Sequence, residues 1–394
     1  MGKRILVPNG NYTDIRLIKA LKKMGLYVIT SGNAPSLEGH KYADEYVAHD
    51  YSDYEGMLEL AKSLNIDYVS ACSNDFGVTT AAYIAEKMGL PGHDTFENAK
   101  IIAEKDKFKK FAMENDLLVI PSHWFNNKMD ALEFARNAEY PIIVKPTDLG
   151  GGKGVTRVCE FEEVEKAIDV AIHASKQGNI VIEPYIEGTQ HSISTFLINQ
   201  KVVAWTSFNE FDSANNPFLV GYTTSPAEGM PQVAEVLIEQ IERIANILHL
   251  VDGIFHVQYR VSQGKPLIME CMRRCLGNYA LKEASIMTEL EWEEWIAKAY
   301  CGVDCSCIPL CSGGEYQMAE FYVQAPANGI IRDVWIAPEL DQYITESIMQ
   351  WQKGMLIESY QKEMLGFLFM KFPNKETRDA VASRFFELVK VEID

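Results

Sequence analysis

Positive charge is scarce in this sequence. Its 394 residues include 37 Lys and Arg against 55 Asp and Glu, which gives a formal net charge of −18. A chain this acidic is disfavoured as a protein that coats nucleic acid or binds anionic membranes, so any site for an anionic ligand must be a local basic cluster. Its 47% hydrophobic and 23% charged residues are typical of a folded globular protein. At about 150 residues per domain, the length predicts two to three domains.

Long apolar runs are also missing. The N-terminus, MGKRILVPNG, has only a four-residue apolar run before a turn, which is too short for the apolar part of a signal peptide. No other run approaches the ~18 apolar residues that a membrane span needs. We therefore expect a cytoplasmic protein with no membrane and no nucleic-acid partner.

Several well-known signatures are absent. The early strands are not followed by GxGxxG, which disfavours a dinucleotide-binding dehydrogenase. The glycine-rich segment further on is not a Walker A loop, because Thr147 stands where that loop needs glycine and Gly154 where it needs Ser or Thr. Four of the eight cysteines lie within eleven residues: Cys301, Cys305, Cys307 and Cys311. They lack the paired CxxC spacing of structural zinc sites, so we interpret them as reduced thiols.

The first hundred residues alternate strand and helix patterns. Short apolar runs predict strands at 5–8, 27–30, 45–48 and 68–72, with amphipathic helices between them. This alternation predicts a parallel sheet covered on both faces, with a ligand crevice at the carboxyl ends of the strands, at residues 9–11 and 73–75. Asp94 and Glu97 have the spacing of a capping box, which predicts one long helix continuing through Phe111.

Two further units and a cap follow. The second unit is predicted to have strands at 140–145, 155–159 and 180–183, with a glycine loop at 148–154. The third is predicted to have strands at 194–198 and 202–207, a helix at 233–248 and a hairpin at 255–261 and 267–271. From residue 313 onward, short strands and one amphipathic helix at 375–388 predict a β-rich cap.

The most informative stretch is KPTDLGGGKGV, residues 145–155. Its consecutive glycines allow backbone N–H groups to be aimed at a phosphate, and a lysine stands on either side. Because the loop joins two strands rather than entering a helix, we expect it to act as a flap. Lys145 ends an apolar strand, where an inward cation is costly unless it meets an anion.

Three more segments accompany this loop in a fixed order: AEKDKFKKF (103–111), IVIEPYIEG (180–188) and LIMECMRR (267–274). With them, essentially the whole sequence resembles the ATP-grasp superfamily, most of all its biotin carboxylase, purine-biosynthesis and amino-acid ligase branches. The resemblance implies an α/β fold class, α+β in parts: the ATP-grasp fold with an N-terminal Rossmann-like parallel domain and a β-rich C-terminal cap. It implies five segments: an N-terminal domain at 1–98, a linker helix at 99–118, a small lid subdomain at 119–186, a large central subdomain at 187–312 and the cap at 313–394.

The same resemblance implies the site residues. Lys107 and Lys145 would bind the phosphates of ATP, Glu270 would bind magnesium, and Arg274 would act with Lys145 on the reacting group. The other implied ATP-binding residues form the phosphate flap (Gly150, Gly151, Gly152, Lys153, Gly154), the adenine-binding segment (Glu183, Pro184, Tyr185, Ile186) and the ribose-binding group (Glu187, Gln190, His191).

Two positions depart from the family pattern. Gln258 and Met272 stand where the family clamps Mg²⁺ with an acidic residue and an asparagine. A hard cation prefers oxygen ligands, so Met272 is unsuitable and Gln258 could offer only a neutral carbonyl oxygen. The protein side of the clamp therefore falls from two carboxylates to one.

The resemblance implies an ATP-dependent, ADP-forming ligase that joins a small-molecule carboxylate to an amine through an acyl phosphate. It implies ATP and Mg²⁺, or Mn²⁺, as cofactors, with no biotin or flavin, and a homodimeric assembly. The departures at Gln258 and Met272 keep open a degenerate nucleotide-binding protein. A biotin-carboxylase-like enzyme that makes a carboxylated product is a further alternative.

Overall fold

The N-terminal unit is the parallel sheet that the strand and helix alternation predicts. The structure is a computed structural model that describes residues 2–149, 152–314, 316–361 and 363–394, without the side chains of residues 217 and 218. The elements of this unit are β1 (Arg4–Pro8), α1 (Ile15–Lys23), β2 (Tyr27–Gly32), β3 (Glu45–Ala48), α2 (Tyr54–Ser63), β4 (Tyr68–Val69) and α3 (Asp75–Met88). The parallel strands lie in the order β3-β2-β1-β4. At their carboxyl ends, the buried carboxylate of Asp14 accepts hydrogen bonds from the backbone N–H of Asn11 (2.9 Å) and Ser73 (2.7 Å), which fixes the predicted crevice.

The linker differs from the single long helix expected there. It consists of α4 (Phe96–Ala103) and α5 (Lys105–Glu114), separated by Glu104 in an extended conformation. Thr95 caps α4 through its side chain, whereas Asp94 binds Arg273, with Oδ2 2.9 Å from Nε. The N-cap therefore lies one residue later than the spacing predicts, because the carboxylate of Asp94 binds the buried Arg273 instead. The break makes Lys105 the first residue of a new helix.

The next unit is a small antiparallel sheet with helices on it. Its elements are β5 (His123–Phe125), α6 (Lys128–Ala135), β6 (Ile142–Pro146), β7 (Thr156–Val158), α7 (Val164–Ala174) and β8 (Ile180–Pro184), with strand order β5-β8-β6-β7. The glycine loop joins β6 to β7. Gly154 has φ +72°, and a Cβ there would lie 2.8 Å from the Cβ of Ala174, so the position requires glycine. Gly150 and Gly151 lie outside the described residues.

The central unit is built on a large sheet. Its elements are β9 (Thr189–Ile198), β10 (Lys201–Ser213), β11 (Asn216–Ser225), α8 (Gln232–Ile247), β12 (Gly253–Ser262), β13 (Lys265–Met272), α9 (Ala280–Thr288), α10 (Trp292–Tyr300) and β14 (Cys311–Ser312). The predicted hairpin is the antiparallel pair β12 and β13, in which Gln258 lies opposite Glu270. Leu237, Ile241 and Ile244 on α8 pack into one buried cluster with the strands of this sheet.

The C-terminal segment extends that sheet. It contains β15 (Gln317–Gln324), β16 (Gly329–Ile336), β17 (Ile344–Met349), β18 (Leu356–Ile357), β19 (Met364–Phe372), α11 (Lys375–Ala382), α12 (Phe385–Leu388) and β20 (Val389–Ile393). The large sheet runs β13-β12-β9-β10-β11-β15-β19-β17, and β14 pairs with β10. It therefore continues across residue 313, where the sequence suggested a boundary. A separate small sheet has the order β18-β16-β20, and the helix expected at 375–388 is broken into α11 and α12.

The described ranges contain no helix both long and apolar enough to cross a membrane. All eight cysteines are free thiols; Cys301 and Cys305 are buried and Cys307 is exposed. No group of three or more His, Cys, Asp or Glu side chains within these ranges is arranged to hold a metal ion.

Candidate functional site

A buried carboxylate, Glu183 at the end of β8, lies between two lysines. Lys145 on β6 approaches it at 2.5 Å (Nζ to Oε2), and Lys109 on α5 at 3.5 Å (Nζ to Oε1). The hydroxyl of Ser122 donates a hydrogen bond to Oε1 at 2.6 Å. Glu183 is thus the anion that Lys145 requires at its position in an apolar strand.

The charges of this group depend on one another. Burial alone would raise the pKa of Glu183, but Lys109 and Lys145 lower it to about 2. Lys109 is only 2% exposed, and burial lowers its pKa to about 8 although Glu183 opposes the shift. Lys109 also donates to the carbonyl oxygens of Ile120 (3.1 Å) and Ile268 (3.4 Å). The negative charge of Glu183 therefore stabilises two lysines, the fully buried Lys109 and the slightly more accessible Lys145.

Besides Lys109, a second lysine of the 103–111 segment reaches this region, namely Lys105. Its Nζ lies 2.5 Å from Oε2 of Glu270 on β13, and both side chains are partly buried. Burial would raise the pKa of Glu270, but Lys105 lowers it. Lys107 instead forms an ion pair with Glu104 at 3.0 Å, on its own helix. The sequence reasoning missed Lys105 because a continuous helix gave no reason to choose it; the break at Glu104 is the feature that selects it.

Arg274 connects this region to the N-terminal crevice. It follows β13 and is 8% exposed, and its Nε lies 2.6 Å from Oδ1 of Asp75, the first residue of α3. Although burial would raise the pKa of Asp75, Arg274 lowers it. One small cavity is lined by Asp75, Lys105, Glu270 and Met272, so α3, the start of α5 and the hairpin converge there.

Gln258 is joined to a carboxylate that the sequence analysis did not single out. Its Nε2 donates to both oxygens of Glu210 on β10, at 2.9 and 3.2 Å, and Nε2 of Gln190 donates to the same carboxylate at 3.0 Å. Glu210 is 9% exposed, and burial raises its pKa, with Glu270 adding to the shift. The available signal was an acidic residue directly after an uncharged stretch, 202–209.

The remaining predicted residues lie around this centre in different environments. Lys153 and Glu187 are exposed. Tyr185, in the segment predicted to bind adenine, lies under the guanidinium of Arg157, 4.0 Å from the ring centre. His191 is buried, and its ring nitrogens contact Asn209 and Thr189, so neither nitrogen is free for a ligand.

Charge is balanced at this centre. Four cations and four carboxylates come together in the described part of the chain: Lys105, Lys109, Lys145 and Arg274 with Asp75, Glu183, Glu210 and Glu270. Cations paired in this way can exchange a carboxylate for phosphate oxygens when a polyanion enters. The carboxylate of Glu270 and the carbonyl oxygen of Gln258 are the oxygen ligands that suit a hard divalent cation.

Comparison with known proteins agrees with this geometry. Residues 138–282 match the model of the ATP-grasp domain. This part of the chain is an ATP-grasp domain. An L-amino acid ligase from Bacillus licheniformis superposes with a TM-score of 0.81 at 18% identity, over 100% of this chain and 99% of that one. The phosphoribosylglycinamide synthetase of Anaerococcus prevotii gives 0.78 at 18% identity, with both chains covered completely. The resemblance and the α/β fold class inferred from the sequence are thereby confirmed.

The chain matches only part of the length of its curated relatives. The C-terminal section of the carbamoyl phosphate synthase large chain of Methanocaldococcus jannaschii is 22% identical over 272 residues, 67% of this chain and 44% of that one. The phosphoribosylamine–glycine ligase of Pyrococcus furiosus is 24% identical over 315 residues, covering 73% of this chain and 69% of the ligase. The chain thus spans less than half the length of the carbamoyl phosphate synthase relatives it matches.

Proposed function

We propose that this protein is an ATP-dependent, ADP-forming ligase that joins a small-molecule carboxylate to an amine. The observation that carries the proposal is the convergence of Lys105, Lys145 and Arg274 from three separate segments, each paired with a carboxylate. In a chain with a net charge of −18, these cations are gathered at one place, where they can bind a nucleoside triphosphate that displaces their carboxylate partners. The names of the relatives support the same class, because an L-amino acid ligase and a phosphoribosylamine–glycine ligase both couple a carboxylate to an amine.

The proposed reaction has two steps. A carboxylate oxygen of the first substrate takes the γ-phosphoryl group of ATP, which forms an acyl phosphate and releases ADP. The amine nitrogen then attacks the acyl carbon, phosphate leaves with that carboxylate oxygen, and one proton is lost as the amide forms. Both transition states spread negative charge over phosphoryl and acyl oxygens, which cationic side chains stabilise.

The chain's own residues have distinct proposed roles. Lys105 and Lys145 bind phosphate oxygens, and Arg274, at the crevice shared with Asp75, orients the substrate carboxylate. The loop that includes Gly152, Lys153 and Gly154 covers the phosphates and excludes water. Glu270 and the carbonyl oxygen of Gln258 fit Mg²⁺ or Mn²⁺, whereas the thioether of Met272 does not. The cation, when bound, withdraws charge from the phosphate oxygens.

The test is substrate-dependent ADP formation. Purified protein, ATP and Mg²⁺ are incubated with a panel of carboxylates and amino acids, and ADP and new condensation products are measured by chromatography and mass spectrometry. Labelling the carboxylate with ¹⁸O tests the acyl phosphate, because one labelled oxygen must appear in the released phosphate. Nucleotide binding with no ADP formation from any substrate would instead support the non-catalytic alternative. ADP formation that needs bicarbonate and no amine would support the carboxylating one.

The homodimer expected from the resemblance stays a prediction. The molar mass of the purified protein in solution, measured by light scattering, tests it against the 44.5 kDa of one chain.

A further inference from the structure

Glu210 differs from the other carboxylates of the site in its partners. Asp75 has Arg274, Glu183 has Lys109 and Lys145, and Glu270 has Lys105. No lysine, arginine or histidine forms an ion pair with Glu210 among the described residues. A carboxylate that is 9% exposed is costly to hold without a positive partner. The lack of a positive partner for Glu210 indicates that a cation from outside the chain completes the arrangement.

The contacts of Gln258 show where such a cation would lie. Both oxygens of Glu210 accept from Nε2 of Gln258, so the other amide atom, Oε1, is turned away from Glu210. Gln258 lies directly opposite Glu270 in the antiparallel pair of β12 and β13, so the two side chains share one face of the sheet. Glu270 is also near enough to Glu210 to act on its charge. The amide of Gln258 thus lies between the carboxylates of Glu210 and Glu270.

We propose that Glu210 supplies the second negative charge of the divalent-cation site, acting through Gln258. Glu210 is a positioning residue: it fixes the amide of Gln258 with the carbonyl oxygen free for the cation and polarises that oxygen through the N–H donors. A glutamine on β12 and a glutamate on β10 together replace the single acidic residue that β12 lacks. Gln190 has the complementary role, because its amide holds the carboxylate of Glu210 from the other side at 3.0 Å.

The inference rests on the proposed nucleotide site and is tested by binding, without turnover. The affinity of Mn²⁺ for the protein with ADP is measured from the loss of the free Mn²⁺ signal in electron paramagnetic resonance. Glu210→Gln should weaken Mn²⁺ binding by about tenfold or more, the size expected when a partner of a metal ligand is removed. The double variant Glu210→Gln with Gln258→Glu moves the carboxylate to β12 and should recover most of the lost affinity.

Asp212→Asn is the matched control, because it removes one acidic charge from an exposed position two residues further along the same strand. It should leave Mn²⁺ affinity unchanged. ADP affinity without metal, measured by calorimetry, should be the same in all variants. If Glu210→Gln fails to fold, Gln258→Met provides the second measurement and should show a loss of similar size.

Three outcomes overturn the inference. They are unchanged Mn²⁺ affinity in Glu210→Gln, unchanged affinity in Gln258→Met, and no recovery in the double variant when the single variant is folded and weakened. Wild-type protein that binds no adenine nucleotide would refute the proposed function itself. If wild type and Glu210→Gln both bind ADP and Mn²⁺ with the same affinity, only the role of Glu210 is refuted.

Discussion

Lys105, the first residue of α5, and Glu270, near the end of β13, form an ion pair with 2.5 Å between Nζ and Oε2. The pair holds a lysine of the linker against the carboxylate proposed to bind the divalent cation. Lys107 lies only two residues further along but is paired within its own helix. Replacing each of these two lysines in turn therefore tests which one belongs to the site.

We expect Lys105→Ala to lower the rate of ADP formation by about 100-fold or more, because one cation facing the transferred phosphoryl group is lost. Lys107→Ala should stay within about threefold of the wild-type rate, since a partly exposed i,i+3 pair contributes little. Steady-state kinetics of both variants, with the melting temperature measured beside them, checks this. The reverse order of effects would return the role to Lys107.

Lys145→Ala should also reduce the rate by about 100-fold or more, for the same electrostatic reason. Its effect on stability should be small, because Glu183 keeps Lys109 and Ser122 as partners after Lys145 is removed. The melting temperature and the rate are measured on one preparation. A variant that forms ADP with its full set of substrates at the wild-type rate would show that Lys145 has no part in the reaction.

The sequence predicted the architecture better than it predicted individual side chains. The parallel N-terminal sheet and the β12–β13 hairpin follow from hydrophobic spacing, which the fold must satisfy along each whole element. Lys105 could not be found in this way, because its direction depends on one residue, Glu104, adopting an extended conformation between two helices. Hydrophobic spacing does not reveal a break of one residue, and it does not reveal that the break brings Lys105 to Glu270.

Glu210 was missed for a related reason. Its importance depends on the side-chain pairing of Gln258 across strands that are distant in sequence, β10 and β12. A motif describes one segment, whereas this pairing is a property of the sheet order β12-β9-β10. The sequence shows that residue 258 is not acidic, but it does not show that Glu210 lies beside it.

Glu183→Gln should destabilise the protein in a pH-dependent manner. Removing the charge leaves Lys109 buried without its counterion, and breaking a buried pair typically costs about 3–5 kcal/mol. The pKa of Lys109, about 8 in the wild type, should fall further, because the carboxylate that raises it is gone. A buried lysine with a lowered pKa loses stability as the pH falls through that pKa, since the unfolded chain still binds the proton.

The melting-temperature difference between wild type and Glu183→Gln should therefore be larger at pH 6.5 than at pH 9. Asp169→Asn is the control, because Asp169 pairs with Lys128 on the surface and should change the melting temperature little at either pH. An equal difference at both values would mean that the charge of Lys109 is not what Glu183 stabilises.

Glu283 predicts the opposite pH dependence. It is fully buried on α9, where its Oε2 accepts a hydrogen bond from Thr223 at 2.7 Å, and burial raises its pKa to about 7. Folding therefore keeps a proton that the unfolded chain releases above its ordinary pKa of 4.5. The contribution of this carboxyl to stability is complete below pH 4.5 and is lost as the pH rises through about 7, a loss on the order of 3 kcal/mol. Glu283→Gln places a neutral side chain of nearly the same shape there, so the melting temperature of this variant should equal that of the wild type at pH 5 and exceed it at pH 8.

The control is Glu239→Gln, at an exposed position, which should show no such difference. A Glu283→Gln protein less stable than the wild type at pH 8 would mean that the buried carboxyl is held in its charged form.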